Sequence, residues 1–325
     1  CYQELVLKKL PVTAENVKIR YLGIEKKEHT LMFAVRHHNQ VMIGILEKGT
    51  LRNYGTTEKL VGLYIKDVFK SSDISLSELN YSFLVSFDKY LRDRIPTGRR
   101  KPCTNNGAMK HIKHLKKIVN LAIKNEWLDR DPFKKYKISY IKPTRKHLSE
   151  EELIAIEQKE FQDKRLQEAQ DLFVFSCYTG LAYLESFNLT PDCIIKGIDG
   201  GNWLSIKRIK TQETYKVPLL PKAVAIIEKY KDDPTVLTNG KLLPTFGNQL
   251  LNNLLKEIAW RCGIEKNLTF HIARHTFATI VTLTNGVPIE TVSKLLGHTS
   301  IKTTQIYARV IEKKVSDDVQ LLRVK

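Results

Sequence analysis

A basic stretch near the middle of the chain constrains the fold most, because it interrupts regular apolar spacing on both sides. Residues 134–148 (KKYKISYIKPTRKHL) are rich in lysine, contain a proline and show no clear period. That composition is typical of an exposed connection between domains. We therefore predict a helical domain over 29–133, an interdomain linker over 134–148 and a second domain over 149–325. Residues 1–28 are interpreted as the remnant of a preceding region or linker.

The first domain is predicted to be a small unit of four helices. Its apolar residues recur at steps of three and four, which places them on one face of each helix. Ser75 is preferred to Ser72 as N-cap of the third helix, because Glu78 three residues later completes a capping box. The helical patterns cover residues 30–47, 50–69, 79–91 and 106–127.

The second domain is predicted to combine helices with one small sheet. Ser149, followed by three glutamates, has the form of a helix start, and residues 171–178 are apolar enough for a buried helix. From Pro221 onward the pattern returns to helix. The chain is thus predicted to be mainly α with a small antiparallel β-sheet. Its strands are expected around Ile194, over 203–207 and over 214–219.

Net charge indicates the class of partner. Lys and Arg total 53 against 35 Asp and Glu, which gives +18 at pH 7 and a pI near 9.5. A surplus of that size favours a polyanion, either nucleic acid or an anionic membrane surface. No apolar run approaches the roughly 18 residues of a spanning helix. Nucleic acid is therefore the preferred interpretation, and no membrane partner is expected.

Half of the charge surplus lies in one short stretch. Residues 104–146 hold 12 Lys and Arg against 3 Asp and Glu, a net charge of +9. One interpretation is a solvated helix face followed by a charged linker, and the other is a track that binds phosphates. Concentration of the charge on one helix and the adjoining linker favours the phosphate track. The candidate DNA-binding residues are Lys110, Lys113, Lys117, Lys142 and Arg145.

Cysteine usage bears on the cellular compartment. The five cysteines are odd in number, widely spaced and without a C-x-x-C pair. They form neither a disulfide framework nor a zinc motif, so a reducing cytoplasmic setting fits best.

Short stretches near the C-terminus contain residues suited to phosphate chemistry. In the H-x-x-R run, His271 and Arg274 stand at i, i+3 and so share one helix face. In the L-G-H run, the glycine is expected to end a helix and display His298 there. Tyr307 follows nine residues later on a predicted short helix, and Lys210 stands at the tip of the predicted hairpin.

Taken singly, each of these residues also fits an ordinary structural role. A histidine after a helix-ending glycine is usually solvated, a lone tyrosine is usually half-buried, and a turn lysine usually faces solvent. His271 and His275 also have the i, i+4 spacing of a zinc-binding H-E-x-x-H helix. However, Ile272 replaces the glutamate and the sequence suggests no third ligand. The order and separation of the residues, rather than any one of them, favour a catalytic site.

In that order and separation, the residues resemble the C-terminal signature of the tyrosine recombinase (phage integrase) family. The stretch from Phe270 to Val310 follows that signature without a gap. The resemblance extends upstream through Thr179-Gly-Leu and the hairpin, to cover about residues 149–310. Residues 29–133 resemble the family's core-DNA-binding domain. In detail, the chain looks most like integrases of Bacteroides-type conjugative transposons.

The resemblance implies a site-specific recombinase or integrase of a mobile element, built as a two-domain clamp on double-stranded DNA. Tyr307 would attack a phosphodiester and form a 3′-phosphotyrosine, which releases a 5′ hydroxyl. Arg274 and His298 would bind the non-bridging oxygens, and His271 would donate or shuttle a proton. Lys210 would protonate the leaving 5′ oxygen. No metal, ATP or other cofactor is implied.

The family also implies partners and a location. We expect a monomer or weak oligomer before DNA is bound and a tetramer on paired DNA sites. Accessory DNA-bending proteins from the host or the element are further expected partners. The implied location is the bacterial cytoplasm, in association with the nucleoid.

The family pattern is broken at one position. The family has an arginine directly after T-G-L, whereas here Ala182 stands there, followed by Glu185 at the usual acidic position. Losing one charge-stabilising donor costs about 10²–10³ in rate if nothing replaces it. Arg208 is the candidate replacement, because it lies two residues from Lys210 and so on the same strand face. Arg165 is less suitable, because it lies 17 residues before Ala182, which is roughly 25 Å along a continuous helix.

Three other functions fit parts of the sequence. A DNA-binding accessory protein on the same fold, with weak or no cleavage, is supported by Ala182 alone. A type IB topoisomerase shares the tyrosine chemistry but acts as a monomer without site preference. A metal-dependent nuclease would need an acidic cluster to hold Mg²⁺, and the sequence suggests none. The tail, residues 308–325, is loosely amphipathic and is expected to pack on its own domain or on a neighbouring protomer.

Overall fold

Apolar residues at helical spacing bring the helices of the first half of the chain together around one core. The structure, a computed structural model, describes residues 14–21, 29–94, 102–142, 146–208 and 212–308. The chain divides into two units, Cys1–Pro143 and Thr144–Lys325, named here the helical unit and the C-terminal unit. The helices of the helical unit are α1 (Ala14–Tyr21), α2 (Leu31–Val41), α3 (Lys48–Tyr64), α4 (Tyr81–Asp93) and α5 (Asn105–Lys124).

The core of the helical unit forms where the apolar faces of α2 to α5 meet. Leu31, Tyr64, Phe87 and Leu115, one from each helix, are fully buried. Burial of one such side chain contributes about 1.5–3 kcal/mol to folding. The helical unit therefore has a hydrophobic core of its own.

One predicted helix start in this unit is wrong. Ser75 caps only a single 3₁₀ turn, Leu76–Glu78, and the backbone at Leu79 is extended. The next helix, α4, begins after Asn80, whose Oδ1 accepts a hydrogen bond from the Phe83 amide at 2.9 Å. The capping-box pattern therefore marked a real cap, but of a short turn rather than of the main helix.

Two predicted helices are shorter than their apolar patterns. The first ends at Val41, and Ile43 in the following turns is 61% exposed, so this residue does not extend the buried stripe. The fourth ends at Lys124, and Glu126 adopts a φ of +59°, outside the helical region. The second runs to its predicted end, although its last five residues form a π-helix, Ile65–Phe69.

One buried and one half-buried histidine line the contact between α5 and α3. The Thr57 hydroxyl lies 2.9 Å from Nδ1 of His111 and 2.8 Å from Nδ1 of His114. The ring of Tyr54 stacks on His114, with ring centroids 4.1 Å apart. Burial, and then the positive charge of Lys110, lowers the pKa of both histidines to about 4. Both imidazoles are therefore neutral at pH 7.

Acid is expected to destabilise the helical unit at pH values above the range in which its carboxylates titrate. In the unfolded chain these histidines bind protons near pH 6.5, whereas in the folded protein the pKa of His111 is about 4. Their contribution to stability is complete above pH 6.5 and is lost as the pH falls towards 4. We expect the melting temperature to fall by several degrees between pH 7 and pH 5. His111→Gln should show a smaller fall, and an identical fall in both proteins would contradict this account.

The first half of the predicted linker packs against the helical unit. Ile138 lies against the core of that unit. The side chain of Asn106 holds Ile141 through two hydrogen bonds: Nδ2 donates to the Ile141 carbonyl at 2.7 Å, and the Ile141 amide donates to Oδ1 at 2.9 Å. Part of the predicted linker is therefore held to the helical unit, at Ile138 and Ile141.

In the C-terminal unit, Leu148 packs into the core just before the first helix. This residue is fully buried, and its amide donates to the Thr276 hydroxyl at 3.0 Å. The helix start predicted at Ser149 is confirmed as a capping box: its hydroxyl accepts from the Glu152 amide at 3.2 Å, and the Glu152 carboxylate accepts from the Ser149 amide at 2.7 Å.

Strand residues of alternating burial build the predicted sheet. β1, β2 and β3 form a three-stranded antiparallel sheet in that order, with Leu204 of β2 opposite Ile194 and Val217. Leu204 and Ile206 are buried on one face, where they join the core of the unit. The strands are β1 (Ile194–Lys196), β2 (Asn202–Lys207) and β3 (Thr214–Pro218).

The other regular elements described in the C-terminal unit are helices, so the predicted class, mainly α with a small antiparallel sheet, is confirmed. Among the residues that the structure describes, no helix is both long and apolar enough to cross a membrane. The helices are α6 (Glu150–Gln158), α7 (Lys164–Thr179), α8 (Tyr183–Phe187), α9 (Pro221–Tyr230), α10 (Pro234–Thr238), α11 (Asn248–Arg261), α12 (Phe270–Thr276), α13 (Ile289–Leu295) and α14 (Ile301–Ala308).

Candidate active site

A glycine turn displays His298, as the sequence predicts. Gly297 follows α13 with a φ of +57°, a left-handed conformation that favours glycine. The amides of Gly297 and His298 donate to the carbonyls of Lys294 and Ser293, both at 2.9 Å, and so close the end of the helix. A Cβ at position 297 would lie 2.8 Å from the ring of Tyr215. Both the backbone conformation and the packing therefore require glycine here.

Arg274, on α12, is 4% exposed and is held in one orientation. Its Nη1 donates to the carbonyl of Gly180 at 2.7 Å. Its Nη2 donates to the carbonyl of Leu296 and lies 3.2 Å from Nε2 of His298. The carboxylate of Glu185 lies 3.7 Å from Nη1 and offsets the buried charge. The guanidinium is thus fixed beside the turn that bears His298.

Arg208 reaches the same turn from the end of β2. Its Nη1 donates to the carbonyl of Gly297, and its Nε lies 4.0 Å from Oε1 of Glu185. Arg274 binds the preceding carbonyl, that of Leu296. Two guanidinium groups therefore contact consecutive carbonyls and share one carboxylate.

Glu185 is the common partner of this cluster and is 7% exposed. Its Oε2 accepts hydrogen bonds from the amide of Ala182 at 2.7 Å and from the hydroxyl of Tyr215 at 2.9 Å. The same carboxylate pairs with Arg274 and Arg208. Glu185 therefore links Arg208 to the backbone of Ala182, which stands where the family has an arginine.

His298 is a neutral imidazole in this structure. Arginine can only donate, so Nε2 of His298 must accept the hydrogen bond from Arg274. The ring proton then lies on Nδ1, which donates to the hydroxyl of Thr304 at 2.8 Å. Burial, and then the charges of Arg274 and Arg208, lowers the pKa of His298 to about 4. The hydrogen bonds and the electrostatics agree on the neutral form.

Tyr307 lies among histidine rings and is 4% exposed. Its ring centroid is 5.2 Å from that of His275, at an interplanar angle of 54°. The ring of His298 is nearly parallel to it, at 6.5 Å and 6°. His271 is exposed, and its ring centroid is 4.3 Å from that of His275. The rings therefore form a series from the surface at His271, through His275, to Tyr307.

The structure brings together five of the residues that the sequence singled out: His271, Arg274, His298, Tyr307 and Arg208. Lys210 lies outside the described residues, as does Arg145. Arg165 is exposed in the first turn of α7, about 20 Å along that helix from its C-terminal end. This distance leaves Arg208 as the better replacement candidate of the two.

The candidate DNA-binding residues on α5 share one side of that helix. Lys113 and Lys117 are exposed at i, i+4 spacing. Lys110 is half-buried, and its Nζ lies 3.3 Å from Oδ1 of Asn53. Lys142 is exposed just after the segment held by Asn106. This placement is compatible with both the phosphate track and a solvated face.

Sequence reasoning missed three residues of the site. The sequence pattern marks His275 only as a candidate zinc ligand, although this residue directly follows Arg274 and so lies on the same helix. Thr304 had a usable signal, because it precedes Tyr307 by three residues and so shares its helix face. Tyr215 had none, since its contacts with Glu185 and with residue 297 join elements that are distant in sequence.

Two family profiles match the chain over most of its length. One, described as the phage integrase SAM-like domain, matches residues 30–138. The other, described as the phage integrase family, matches residues 146–314, which is more than half of the chain.

Curated relatives match a shorter stretch. Tyrosine recombinase XerD of Listeria monocytogenes serotype 4b (strain F2365) is 37% identical over 112 residues, 31% of this chain and 37% of that protein. Tyrosine recombinase XerD of Rhizobium meliloti (strain 1021) is 34% identical over 154 residues, 44% of this chain and 47% of that protein. The matched segments thus span less than half the length of these relatives.

Solved structures share the fold at low sequence identity. A lambda integrase dimer bound to a COC' core site gives a TM-score of 0.71 at 14% identity, covering 94% of this chain and 84% of that chain. The Tn1549 transposon integrase in complex with a circular intermediate DNA gives 0.62 at 16% identity, covering 86% and 94%. The fold, the order of the site residues and the profile over residues 146–314 agree. The chain belongs to the phage integrase family.

Proposed function

We propose that this chain is a site-specific recombinase that cleaves and rejoins DNA through a 3′-phosphotyrosine at Tyr307. The main supporting observation is the buried position of Tyr307 beside His275 and His298. Two guanidinium groups, of Arg274 and Arg208, are fixed at the turn that bears His298. One phosphodiester can then meet a nucleophile and two cations together.

In the proposed cleavage step, the phenol oxygen of Tyr307 attacks the phosphorus and the bond to the 5′ oxygen breaks. A free tyrosine has a pKa near 10 and is a weak nucleophile. Arg274 and Arg208, which are already held beside the site, offset the negative charge that builds on the non-bridging oxygens. Lys210 is proposed to protonate the leaving 5′ oxygen. Rejoining reverses these steps with a 5′ hydroxyl from the partner strand.

His298 is proposed to join the phosphate by exchanging a partner. In the free protein its Nε2 accepts from Arg274, so it offers no proton there. Burial, and then the charges of Arg274 and Arg208, lowers the pKa of His298 in the free protein, and a bound phosphodiester offsets the two charges. The imidazole then gains a proton at Nε2 and donates it in a hydrogen bond to a non-bridging oxygen.

Arg208 is proposed to compensate for Ala182. Its contact with Glu185 and with the Gly297 carbonyl supports this role. The carboxylate that pairs with Arg208 also accepts from the amide of Ala182. These contacts support the proposal that a cation at the end of β2 replaces the missing arginine.

The remaining roles are proposed from the family. The predicted domain over 29–133 is proposed to bind core DNA, and the domain over 149–325 is proposed to perform catalysis. The two are proposed to form a clamp joined by residues 134–148. The proposed phosphate contacts are Lys110, Lys113, Lys117, Lys142 and Arg145.

We propose that the protein forms a tetramer on paired sites of double-stranded DNA, together with accessory DNA-bending proteins. The proposed location is the bacterial cytoplasm, at the nucleoid. Integration of a conjugative transposon is the proposed biological setting, and the transposon integrase of similar fold supports it.

Covalent trapping tests this proposal. The protein would be incubated in EDTA with nicked duplexes carrying the element's crossover site, so that the cleaved end diffuses away. We expect a protease-sensitive, slower-migrating DNA band, and a tryptic peptide containing Tyr307 that is joined to nucleotide. Tyr307→Phe is the matched control and should bind the duplex without forming the band.

One alternative retains support from a specific observation, the alanine at position 182. In that alternative the chain is an accessory protein that binds DNA and cleaves it weakly or not at all. Binding of a verified crossover site without any covalent band would favour this alternative over the recombinase.

A further inference from the structure

We infer that His275 accepts the phenol proton of Tyr307 during attack and passes a proton to His271 at the surface. This inference rests on the proposed function and gives a role to a residue that the proposed cleavage step does not use. His275 stands directly after Arg274 on α12 and is 4% exposed. It is thus a buried base next to the proposed nucleophile.

The position of the rings supports a path for the proton. The ring of His275 lies 5.2 Å from that of Tyr307 and 4.3 Å from that of His271, between centroids. Tyr307 is 4% exposed, so its side chain has little direct contact with bulk water. His271 is exposed. A proton passed along this series leaves the site without crossing the phosphate-binding side.

His298, the other imidazole that faces Tyr307, is unsuited to this task. Both of its ring nitrogens are engaged, Nε2 by Arg274 and Nδ1 by Thr304. Its proposed place is on the phosphate, so it would have to serve two partners in one step.

The step balances without a further reactant. As the bond from the Tyr307 oxygen to phosphorus forms, the phenol O–H electrons remain on that oxygen and the proton moves to a ring nitrogen of His275. The bond from phosphorus to the 5′ oxygen breaks, and that oxygen takes its proton from the general acid. His275 returns to neutral by giving a proton to His271, which exchanges with water. In rejoining, the same path runs in reverse.

A purely structural role for His275 predicts different behaviour. A buried side chain that only fills space should be replaceable by any group of similar shape that satisfies its hydrogen bonds. A proton acceptor should not be, because asparagine matches much of the shape of histidine but is not a base. Typical general-base contributions are about 10²–10⁴ in rate.

His275→Asn is the first test, in the full chain with the nicked crossover duplex. We expect the rate of covalent adduct formation to fall about 100-fold, with duplex affinity and melting temperature close to those of the parent. His37→Asn, on α2 in the other unit, is the matched control and should retain the parent rate. Adduct formation by His275→Asn within threefold of the parent would overturn the inference.

Chemical rescue of His275→Ala is the second test and holds even if the asparagine variant folds poorly. We expect imidazole at millimolar concentration to raise the adduct rate at least tenfold, and pyrazole, of similar shape but far less basic, to have no effect. Equal rescue by both, or rescue by neither, would overturn the inference. Failure of the unsubstituted protein to form any adduct would instead overturn the proposed function, and the inference with it.

Discussion

Arg274→Lys is expected to reduce DNA cleavage about 1,000-fold while leaving duplex binding nearly unchanged. The guanidinium contacts Gly180, Leu296 and His298 at once. A lysine keeps the charge but presents one nitrogen instead of a planar fork. It therefore loses both the hold on the His298 turn and the paired hydrogen bonds to a phosphate. Removal of one such donor alone typically costs about 10²–10³ in rate.

The measurement is single-turnover adduct formation on the nicked duplex, with binding followed separately by gel shift. Arg261→Lys is the matched control, because Arg261 is an exposed arginine of the same unit that pairs with Glu257 on its own helix. It should cleave at the parent rate. Cleavage by Arg274→Lys within tenfold of the parent would show that the charge suffices, and that the fixed fork has little importance.

Arg208→Ala is expected to reduce cleavage about 100-fold or more, and Ala182→Arg is expected to recover much of that loss in the double variant. Arg208 contributes the second cation at the Gly297 carbonyl and beside Glu185. Its removal leaves Arg274 alone to offset the transition-state charge. An arginine at position 182 returns a guanidinium to the family position, next to the same carboxylate.

Folding should not account for this effect, because Glu185 keeps Arg274 and Tyr215 as partners when Arg208 is absent. We expect a melting temperature near that of the parent. Lys207→Ala, one residue earlier and exposed on β2, controls for the loss of a positive charge and should cleave within a few fold of the parent. Full activity of Arg208→Ala would remove the compensation hypothesis, and recovery in the double variant would locate the lost function at Ala182.

These two predictions separate a fixed pair of cations from a general positive field. A field would respond to net charge, so the charge-matched Arg274→Lys would be tolerated and Lys207→Ala would be harmful. A fixed pair depends on geometry. We therefore expect Arg274→Lys to cleave poorly and Lys207→Ala to cleave nearly as well as the parent. The shared carboxylate of Glu185 favours the fixed pair, because it orients both guanidinium groups from one side.

Much of the fold followed from local patterns. The strands over 203–207 and 214–219, the helix start at Ser149 and the glycine that displays His298 all appear where the sequence predicts them. The failure at Ser75 is instructive, since its cap is real but the helix stops after one turn. Capping residues report that a turn of helix begins, whereas packing against the core decides how far it continues.

The sequence by itself determined the helical spacing, the small sheet and the order of His271, Arg274, His298 and Tyr307 along the chain. These features depend on residues within a few positions of one another, where spacing and turn chemistry act directly. Only the tertiary structure decided that Arg208 contacts Gly297, 89 residues away, and that Glu185 joins both arginines. It also decided that His275 faces Tyr307. Such contacts arise from the packing of several elements at once, and no local pattern records which side chains that packing brings together.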